Sequence, residues 1–423
     1  KERNLRLVVH GDDFTILGHS NHLDWFKEKL SDKYELKHKA RLGPGSQDDK
    51  CVRILNRVLW WDNEGLHYEP DQRHAEVICK QVGVDGKKSV ATPGVPSDNS
   101  KDEDGDDEVL DPKFTTAYRA CTARANFLSQ DRLDIKYATK ELSRFMSSPR
   151  QRDWRKLIRL AKYLVSKERF IVDFKYQDKI NKIEVWTDTD YAGCRETRKS
   201  TSGGVIKLGN HVIRGWSSTQ KVIALSSGEA EYYGVVKGAS EGFGTQSLLK
   251  DINVDLRLRL YEDSSAAKGI VSRIGIGKVR HIETNQLWVQ EKVRDKKIEI
   301  LKVKGTGNIA DPMTKHVEQK LICKNLKDLD CRISNGRHDI MPEMDEAVEC
   351  IVSKDNVSTN EISDTNAGDV CYVSYGVPYG APVSENSYAM KECSSLQLSV
   401  SRFIEPTQCS PKESMMATQP ADQ

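Results

Sequence analysis

Residues 183–193 read Ile-Glu-Val-Trp-Thr-Asp-Thr-Asp-Tyr-Ala-Gly, and apolar and polar side chains alternate in the first part of this stretch. A period of two predicts a strand, here one that ends at two aspartates, Asp188 and Asp190. Both aspartates lie on the same face of such a strand. We expect Asp188 to be the functional one, because it comes first, where a central strand still has buried neighbours.

Three more acids follow at the ends or starts of predicted elements. A second alternation, at residues 256–260, leads to Asp263, Glu231 lies one turn into a predicted helix, and Asp311 follows a glycine-rich turn. Four acids brought together would repel one another and partly protonate unless divalent cations balanced them. The pattern therefore predicts a two-metal phosphodiester site formed by Asp188, Glu231, Asp263 and Asp311.

Length and composition indicate a soluble chain with a sizeable core. It has 423 residues, 37% hydrophobic and 30% charged, enough for two or three domains. No apolar run is long enough to span a bilayer, and no signal peptide is recognisable, so we expect no membrane partner. The missing initiator Met indicates a piece of a longer chain. Ten cysteines without a repeated pair spacing favour reduced thiols in an intracellular location, cytoplasmic or nuclear.

The charges are unevenly distributed. Residues 179–315 contain 23 Lys and Arg against 16 Asp and Glu, whereas residues 318–423 contain 9 against 17. The middle of the chain is suited to face phosphates, and the C-terminal part would be repelled by them. Because that C-terminal part also has few aliphatic runs, we predict that it is largely disordered.

The N-terminal stretch predicts a hairpin. Residues 5–17 read as two short buried strands whose tight turn projects Asp12 and Asp13. Aspartates favour turns for their own hydrogen-bonding reasons, so the pair alone is a weak functional signal. An amphipathic helix at residues 23–36, a strand at 52–61, a returning strand at 66–68 and a helix at 71–82 follow.

An acidic linker and a helical segment come next. Residues 94–111 are rich in Asp, Gly and Ser and predict a linker, since the glycine lacks the offset that a calcium loop requires. Helices are predicted at residues 113–129, 133–146 and 150–166. Simple packing explains these helices best, although their many arginines also suit a phosphate backbone.

From residue 183 onward the predicted order is three strands, a helix, a strand, two helices and a strand, which favours a mixed sheet with helices on its faces. The amino-acid sequence of this region resembles the ribonuclease H region of copia-type LTR retrotransposon Pol polyproteins. The phrases that carry the resemblance are Arg-Lys-Ser-Thr-Ser-Gly at 198–203, Trp-Ser-Ser-Thr-Gln at 216–220, Ala-Leu-Ser-Ser-Gly-Glu-Ala-Glu-Tyr at 224–232 and Asn-Ile-Ala-Asp at 308–311.

The resemblance extends to the hairpin. In these polyproteins the end of the reverse transcriptase palm carries Tyr-x-Asp-Asp, which implies metal-binding roles for Asp12 and Asp13, with His10 in place of the Tyr. The palm's third aspartate and the fingers belong upstream of Lys1 in the family layout. The resemblance therefore implies that this chain alone does not polymerise.

The implied architecture is α/β. It comprises an α+β palm remnant with its following segment at 1–93, the acidic linker at 94–111, a helical connection at 112–177, a ribonuclease H-like mixed sheet flanked by helices at 178–317 and the disordered tail at 318–423.

In the ribonuclease H-like region two neighbouring acids compete for each of two predicted metal-binding positions. Glu229 lies three residues after Ser226, the spacing of a capping box, which leaves Glu231 to face the metals. Asp263 is preferred to Glu262, because Asp-Ser matches the end of the family's strand, and Asp311 could equally be an ordinary N-cap. The four acids would hold two Mg²⁺ ions, or Mn²⁺, about 3.5 to 4 Å apart.

Similarity to ribonuclease H implies cleavage of the RNA strand of RNA:DNA hybrids, so the implied partners are the hybrid and the rest of the Pol polyprotein. The candidate hybrid contacts are Arg198, Lys199, Ser200, Thr201, Ser217, Ser218 and Gln220. Solvated turns explain these polar residues equally well. His281 matches a histidine of the family pattern, and a helix-cap role suits it at least as well.

Two other functions stay open at the level of sequence. One is a non-catalytic retrotransposon relic that folds and binds nucleic acid without cutting it. The other is an integrase-type strand transferase, which shares the sheet but uses three acids.

Overall fold

The computed structural model of the protein describes residues 3–96 and 107–344. The chain divides into two compact units, and in the described ranges the first comprises residues 3–29 and the second begins at residue 30. The sequence predicted one segment from residue 1 to residue 93, and those domain bounds stay a prediction.

The first unit is a hairpin followed by a helix. Strands β1 (Arg6–His10) and β2 (Asp13–Leu17) pair antiparallel around Gly11, whose φ of +61° suits a tight turn, and α1 (Ser20–Ser31) follows. The predicted hairpin is present, but the expectation that its strands are buried is wrong. Five of its apolar side chains are at least 38% exposed, namely Leu7, Val8, Val9, Phe14 and Leu17.

The second unit opens with an antiparallel sheet of five strands in the order β12-β6-β5-β4-β3. Its strands are β3 (Cys51–Ile54), β4 (Arg57–Trp61), β5 (Gly65–Glu69), β6 (Arg169–Lys175) and β12 (Cys331–Ser334). The single strand predicted at residues 52–61 is a hairpin. It turns at Leu55 and Asn56, which both have positive φ angles of 49° and 63°.

This sheet joins segments that the sequence assigned to different domains. Strand β6 lies inside the predicted helical connection, and β12 lies inside the predicted disordered tail. Helix α9 (Gln319–Asp328) also lies in that tail, and it buries Ile322 and Leu326. The prediction of disorder is therefore wrong for residues 319–334. Residues 345–423 of the predicted tail and residues 97–106 of the predicted linker lie outside the described residues.

Four helices of this unit pack against one another: α2 (Arg73–Val82), α3 (Pro112–Leu128), α4 (Lys136–Ser143) and α5 (Gln151–Leu164). The three helices predicted at residues 113–166 agree with α3, α4 and α5 within a few residues at most ends. They bury one apolar cluster around Tyr118 and Leu157, both 0% exposed. Packing therefore accounts for these helices, as the periodicity indicated.

The second sheet has the strand order β11-β10-β7-β8-β9. Its strands are β7 (Lys182–Asp190), β8 (Thr201–Leu208), β9 (His211–Thr219), β10 (Arg257–Glu262) and β11 (Ile298–Lys302). Pairs β7–β8 and β8–β9 are antiparallel, whereas β10 is parallel to both β7 and β11. This is the mixed sheet of the ribonuclease H-like architecture expected from the sequence.

Helices accompany this sheet as well: α6 (Ser227–Asp251), α7 (Ser265–Val271) and α8 (Trp288–Arg294). The helix predicted from Ile282 is shorter, since a 3₁₀ turn (Thr284–Leu287) precedes α8. Strands β7 and β10 and helix α6 share one apolar core, which includes Ile183, Leu260 and Val235 at 0% exposure. None of the helices in the described ranges is long and apolar enough to cross a membrane.

Candidate metal centre

Three carboxylates from three separate elements meet at one end of the second sheet. Asp188 belongs to β7, Glu231 to the first turns of α6, and Asp263 follows β10 directly. One carboxylate oxygen of each lies within 4.8 Å of the others. Because β7 and β10 run parallel, their C-terminal ends lie at the same edge of the sheet, and this brings the two aspartates together.

Helix α6 is held at its first turn by caps. Ser226 Oγ accepts a hydrogen bond from the main-chain nitrogen of Glu229 (3.2 Å), and Glu229 Oε2 accepts one from the nitrogen of Leu225 (3.0 Å). Nε2 of His281 lies 2.8 Å from the same Glu229 oxygen. Ser226 thus caps the helix, Glu229 bonds to the residue before that cap instead of completing a capping box, and Glu231 is the acid whose oxygen clusters with those of Asp188 and Asp263.

Glycines allow α6 to approach the sheet closely. A Cβ atom placed on Gly234 would lie 2.5 Å from Oγ1 of Thr189, and one on Gly242 would lie 2.7 Å from a methyl of Leu258. A side chain at either position would force Thr189, Leu258 or the helix itself to shift. The small residues of α6 thus allow the close packing of this helix against the strands that carry Asp188 and precede Asp263.

Asp188 is 4% exposed and is fixed by the segment that follows β11. Thr314 donates its hydroxyl to Oδ2 of Asp188. The side-chain amide of Asn308 donates to the main-chain oxygen of Thr187 over 2.8 Å. Sequence reasoning did not assign roles to Thr314 or Asn308, although Asn308 opens the motif that ends at Asp311.

Asp311 is not part of the cluster of three oxygens. It begins a short 3₁₀ turn (Asp311–Met313), and its Oδ1 pairs with Nζ of Lys315 at 2.6 Å. Burial opposes the charged form of Lys315, but the hydrogen bond to Asp311 and the charge of Asp188 raise its pKa. Lys315 is thus a cation among these acids that the sequence analysis had not singled out.

The clustered acids resist ionisation. Burial raises the pKa of Asp188 to about 6, against the hydrogen bond from Thr314, and burial followed by the charge of Asp188 raises the pKa of Glu231 to about 9. Burial also raises the pKa of Asp263, and the charge of Asp311 adds to this effect. These directions are those expected of buried acids whose desolvation and mutual repulsion outweigh the charge of Lys315.

The donor set fits a hard divalent cation. All three clustered ligands are carboxylate oxygens, and no sulfur or imidazole is among them. Oε2 of Glu231 is buried without a hydrogen-bond partner in the described ranges. Mg²⁺ and Mn²⁺ prefer oxygen ligands of this kind, so Asp188, Glu231 and Asp263 are suited to hold such an ion.

Comparison with known proteins identifies the relatives. No protein-family model matches the chain. It is 28% identical over 254 residues to the retrovirus-related Pol polyprotein from transposon RE1 of Arabidopsis thaliana, covering 59% of this chain and 17% of the relative. It is 26% identical over 332 residues to the one from transposon TNT 1-94 of Nicotiana tabacum, covering 76% of this chain and 24% of that relative.

The curated relatives that this chain resembles at 26–28% identity are thus Pol polyproteins of copia-type transposons. The chain spans between 17% and 24% of the length of these relatives. This agrees with the family that the sequence motifs indicated.

Solved ribonucleases H are similar to about a third of the chain, at low TM-scores. LC11-RNase H1, isolated from compost, is 17% identical with a TM-score of 0.24, covering 35% of this chain and 99% of its own. RNase H1 from Halobacterium salinarum is 15% identical with a TM-score of 0.22, covering 32% of this chain and 95% of its own. The strand order and register described above remain the basis for the fold.

The predicted hybrid contacts of this Pol-like chain fall into two groups. Ser200, Thr201 and Gln220 are buried, at 0%, 3% and 8% exposure. The amide of Gln220 donates to Ser202 Oγ and to the main-chain oxygen of Ala230, both at 2.8 Å. Such enclosed side chains suit internal support better than contact with a substrate.

The other four predicted contacts are more accessible. Arg198 is exposed, with a positive φ of 54°, and Lys199, Ser217 and Ser218 are half-buried. Thr201 pairs with Asp190, and Ser217 lies opposite Gly203, the partner of Asp188. Strand register thus places the serines of β9 two strands away from the first acid.

The acids of the Pol-like hairpin lie in the first compact unit. Asp12 is in the turn and Asp13 begins β2, and both are exposed. They are separate from the carboxylate cluster in sequence and belong to a different unit. Their polymerase role stays a prediction.

Proposed function

We propose that this chain is a metal-dependent endonuclease that cleaves the RNA strand of RNA:DNA hybrids during retrotransposon reverse transcription. The observation that carries the proposal is the meeting of Asp188, Glu231 and Asp263 within 4.8 Å at the end of a ribonuclease H-like sheet. Homology to copia-type Pol polyproteins supports the same reading.

Asp188, Glu231 and Asp263 would hold the divalent cations, with Asp311 as the fourth acid. Bound Mg²⁺ or Mn²⁺ would supply Lewis acidity, which activates a water and stabilises the leaving oxygen of a phosphodiester. Thr314 and Asn308 keep Asp188 and its strand in place through their hydrogen bonds. Arg198, Lys199, Ser217 and Ser218 are the accessible groups for contacting the hybrid backbone.

The test is cleavage by the full chain in Mg²⁺ of a hybrid whose RNA strand is labelled. We expect the parent to cut the RNA strand. The cleavage rate of Asp188→Asn should be at least about a hundredfold lower, because a neutral amide replaces a charged ligand. Asp255→Asn is the matched control, since Asp255 is exposed just before β10, at the opposite end of that strand from Asp263.

The same assay separates the alternatives. If the parent binds the hybrid without cleaving it, the result would favour the alternative that the chain is a non-catalytic retrotransposon relic. Cutting of DNA ends with the hybrid left intact would favour a strand transferase. Equal cleavage by the parent and Asp188→Asn would contradict the proposed site.

A further inference from the structure

Glu262, the last residue of β10, is a buried acid that the proposed mechanism does not use. Its side chain is 0% exposed. Neither carboxylate oxygen has a hydrogen-bond partner among the described residues. A buried carboxyl without any partner is costly, so its presence beside Asp263 needs a physical explanation.

The register of β10 shows which way Glu262 points. Leu258 and Leu260 share its face, and they lie opposite Gly242 and Gly238 of α6, where an added Cβ would meet them at 2.7 Å and 3.1 Å. Two residues along the strand correspond to about one turn of the helix. The next position, Glu262, is therefore directed toward the first turns of α6, which carry Glu231.

Positive charge from the neighbouring strand balances Glu262 only in part. Lys302 is its register partner on β11, but Nζ of Lys302 donates to Ser265 Oγ instead. The charges of Asp263 and Asp188 act on Glu262 in the repulsive sense, and Glu262 acts in the same sense on Glu231. The charge of Lys302 acts on Glu262 in the opposite sense, but burial and the repulsion of Asp263 and Asp188 outweigh it, and they raise the pKa of Glu262.

We propose that Glu262 is a positioning carboxyl of the metal centre, whose negative charge strengthens the binding of the divalent cations held by Asp188, Glu231 and Asp263. This inference rests on the proposed function. Glu262 is not among the three acids whose oxygens cluster within 4.8 Å. It therefore acts on the site through its charge without ligating the ion, and a bound cation would add to the partial balance that Lys302 provides.

The experiment measures Mn²⁺ binding to the metal-stripped full chain by electron paramagnetic resonance of the free ion. We expect Glu262→Gln, which keeps the shape and removes the charge, to raise the Kd for Mn²⁺ by on the order of tenfold. Glu262→Asp keeps the charge, so its Kd for Mn²⁺ should stay within about threefold of the parent's Kd. A purely structural role would not be rescued in this way, because aspartate is the shorter side chain.

Glu299→Gln is the matched control. Glu299 lies on β11, is more than half exposed and pairs with Arg259, so its loss should leave the Kd unchanged. Glu262→Met provides a second neutral variant that contains no buried polar atom, should Glu262→Gln fail to fold. A Kd within twofold of the parent in whichever neutral variant folds would overturn the inference.

The outcomes distinguish this inference from the proposed function. If the parent binds Mn²⁺, Asp188→Asn abolishes binding and Glu262→Gln binds normally, then only the role of Glu262 fails. If the parent itself binds no Mn²⁺, the proposed function and this inference both fail.

Discussion

The side-chain amide of Asn308 donates to the main-chain oxygen of Thr187 across 2.8 Å and joins residues 121 positions apart. Oδ1 of Asn308 also accepts from the main-chain nitrogen of Ala310 at 3.1 Å. The loop that leads to Asp311 is therefore hydrogen-bonded to β7, the strand that carries Asp188. The hydrogen bonds of one buried amide set the position of the fourth acid relative to the first.

We expect Asn308→Ala to lower the free energy of unfolding by about 1–3 kcal/mol, because it leaves the buried oxygen of Thr187 without its donor. Chemical denaturation followed by tryptophan fluorescence measures this. Asn285→Ala is the control, since Asn285 is exposed and its side chain hydrogen-bonds with those of Glu283 and Gln286. Equal stability of both variants would show that the bond to Thr187 contributes nothing.

The pKa of Glu231, raised to about 9, makes the metal-free chain sensitive to pH. Glu231 binds its proton more tightly when folded, so the unfolded chain ionises first and stability falls as pH rises from about 4.5 toward about 9. Asp188, with a pKa of about 6, adds a smaller loss in the lower part of this window.

Melting temperatures in EDTA between pH 5 and pH 9 test this expectation. The parent should lose thermal stability across the range, and Glu231→Gln should lose less, because the amide does not ionise. Mg²⁺ should restore more stability at pH 9 than at pH 5, since it binds the ionised acids. A parallel decline in the parent and Glu231→Gln would assign the pH dependence to other groups.

Local patterns in the sequence predicted the elements that carry the candidate metal centre. The alternation at residues 183–190 and the Ser226 cap of α6 are signals that depend only on neighbouring residues, and both strand and helix form where these signals lie. The grouping of Asp188, Glu231 and Asp263 then follows from strand order. Asp311 was placed by its motif alone, and that motif gave no indication of its pairing with Lys315.

Long-range pairing is what the sequence did not reveal. Strand β12 has four residues in a polar stretch, and it forms because β6 pairs with it and because Leu326 and Leu329 of the preceding segment are buried. No feature within residues 331–334 signals either partner. The apolar hairpin β1–β2 shows the converse, since an apolar alternation predicts burial without specifying what covers it.

A buried ion pair should control the stability of the connection region. Arg132 and Asp134 have fully buried side chains 2.6 Å apart, and the hydroxyl of Tyr163 also donates to Asp134. Arg132→Met removes the cation and leaves the carboxylate of Asp134 buried without it. We expect the free energy of unfolding to fall by about 3–5 kcal/mol. Denaturation with urea measures the loss, and Arg124→Met, at a half-buried position of α3, should cost far less.

Two glycines of α6 provide a matched test of how closely this helix must approach the sheet. A Cβ on Gly238 would lie 2.3 Å from Cγ2 of Thr187, whereas one on Gly244 would meet nothing within 4 Å. Gly238→Ala should therefore destabilise by about 1–3 kcal/mol through overpacking. Gly244→Ala should stabilise by about 0.5–1 kcal/mol, because alanine favours the helix.

The affinity of the candidate metal centre for Mn²⁺ should change in the same order in these two variants. Moving α6 away from β7 separates Glu231 from Asp188, so Gly238→Ala should also weaken Mn²⁺ binding, while Gly244→Ala should bind Mn²⁺ like the parent. Unfolding and Mn²⁺ titration of the two variants side by side measure both effects. If Gly238→Ala lost stability but kept its affinity for Mn²⁺, the close approach of α6 would serve packing alone, and Glu231 would reach the cluster without it.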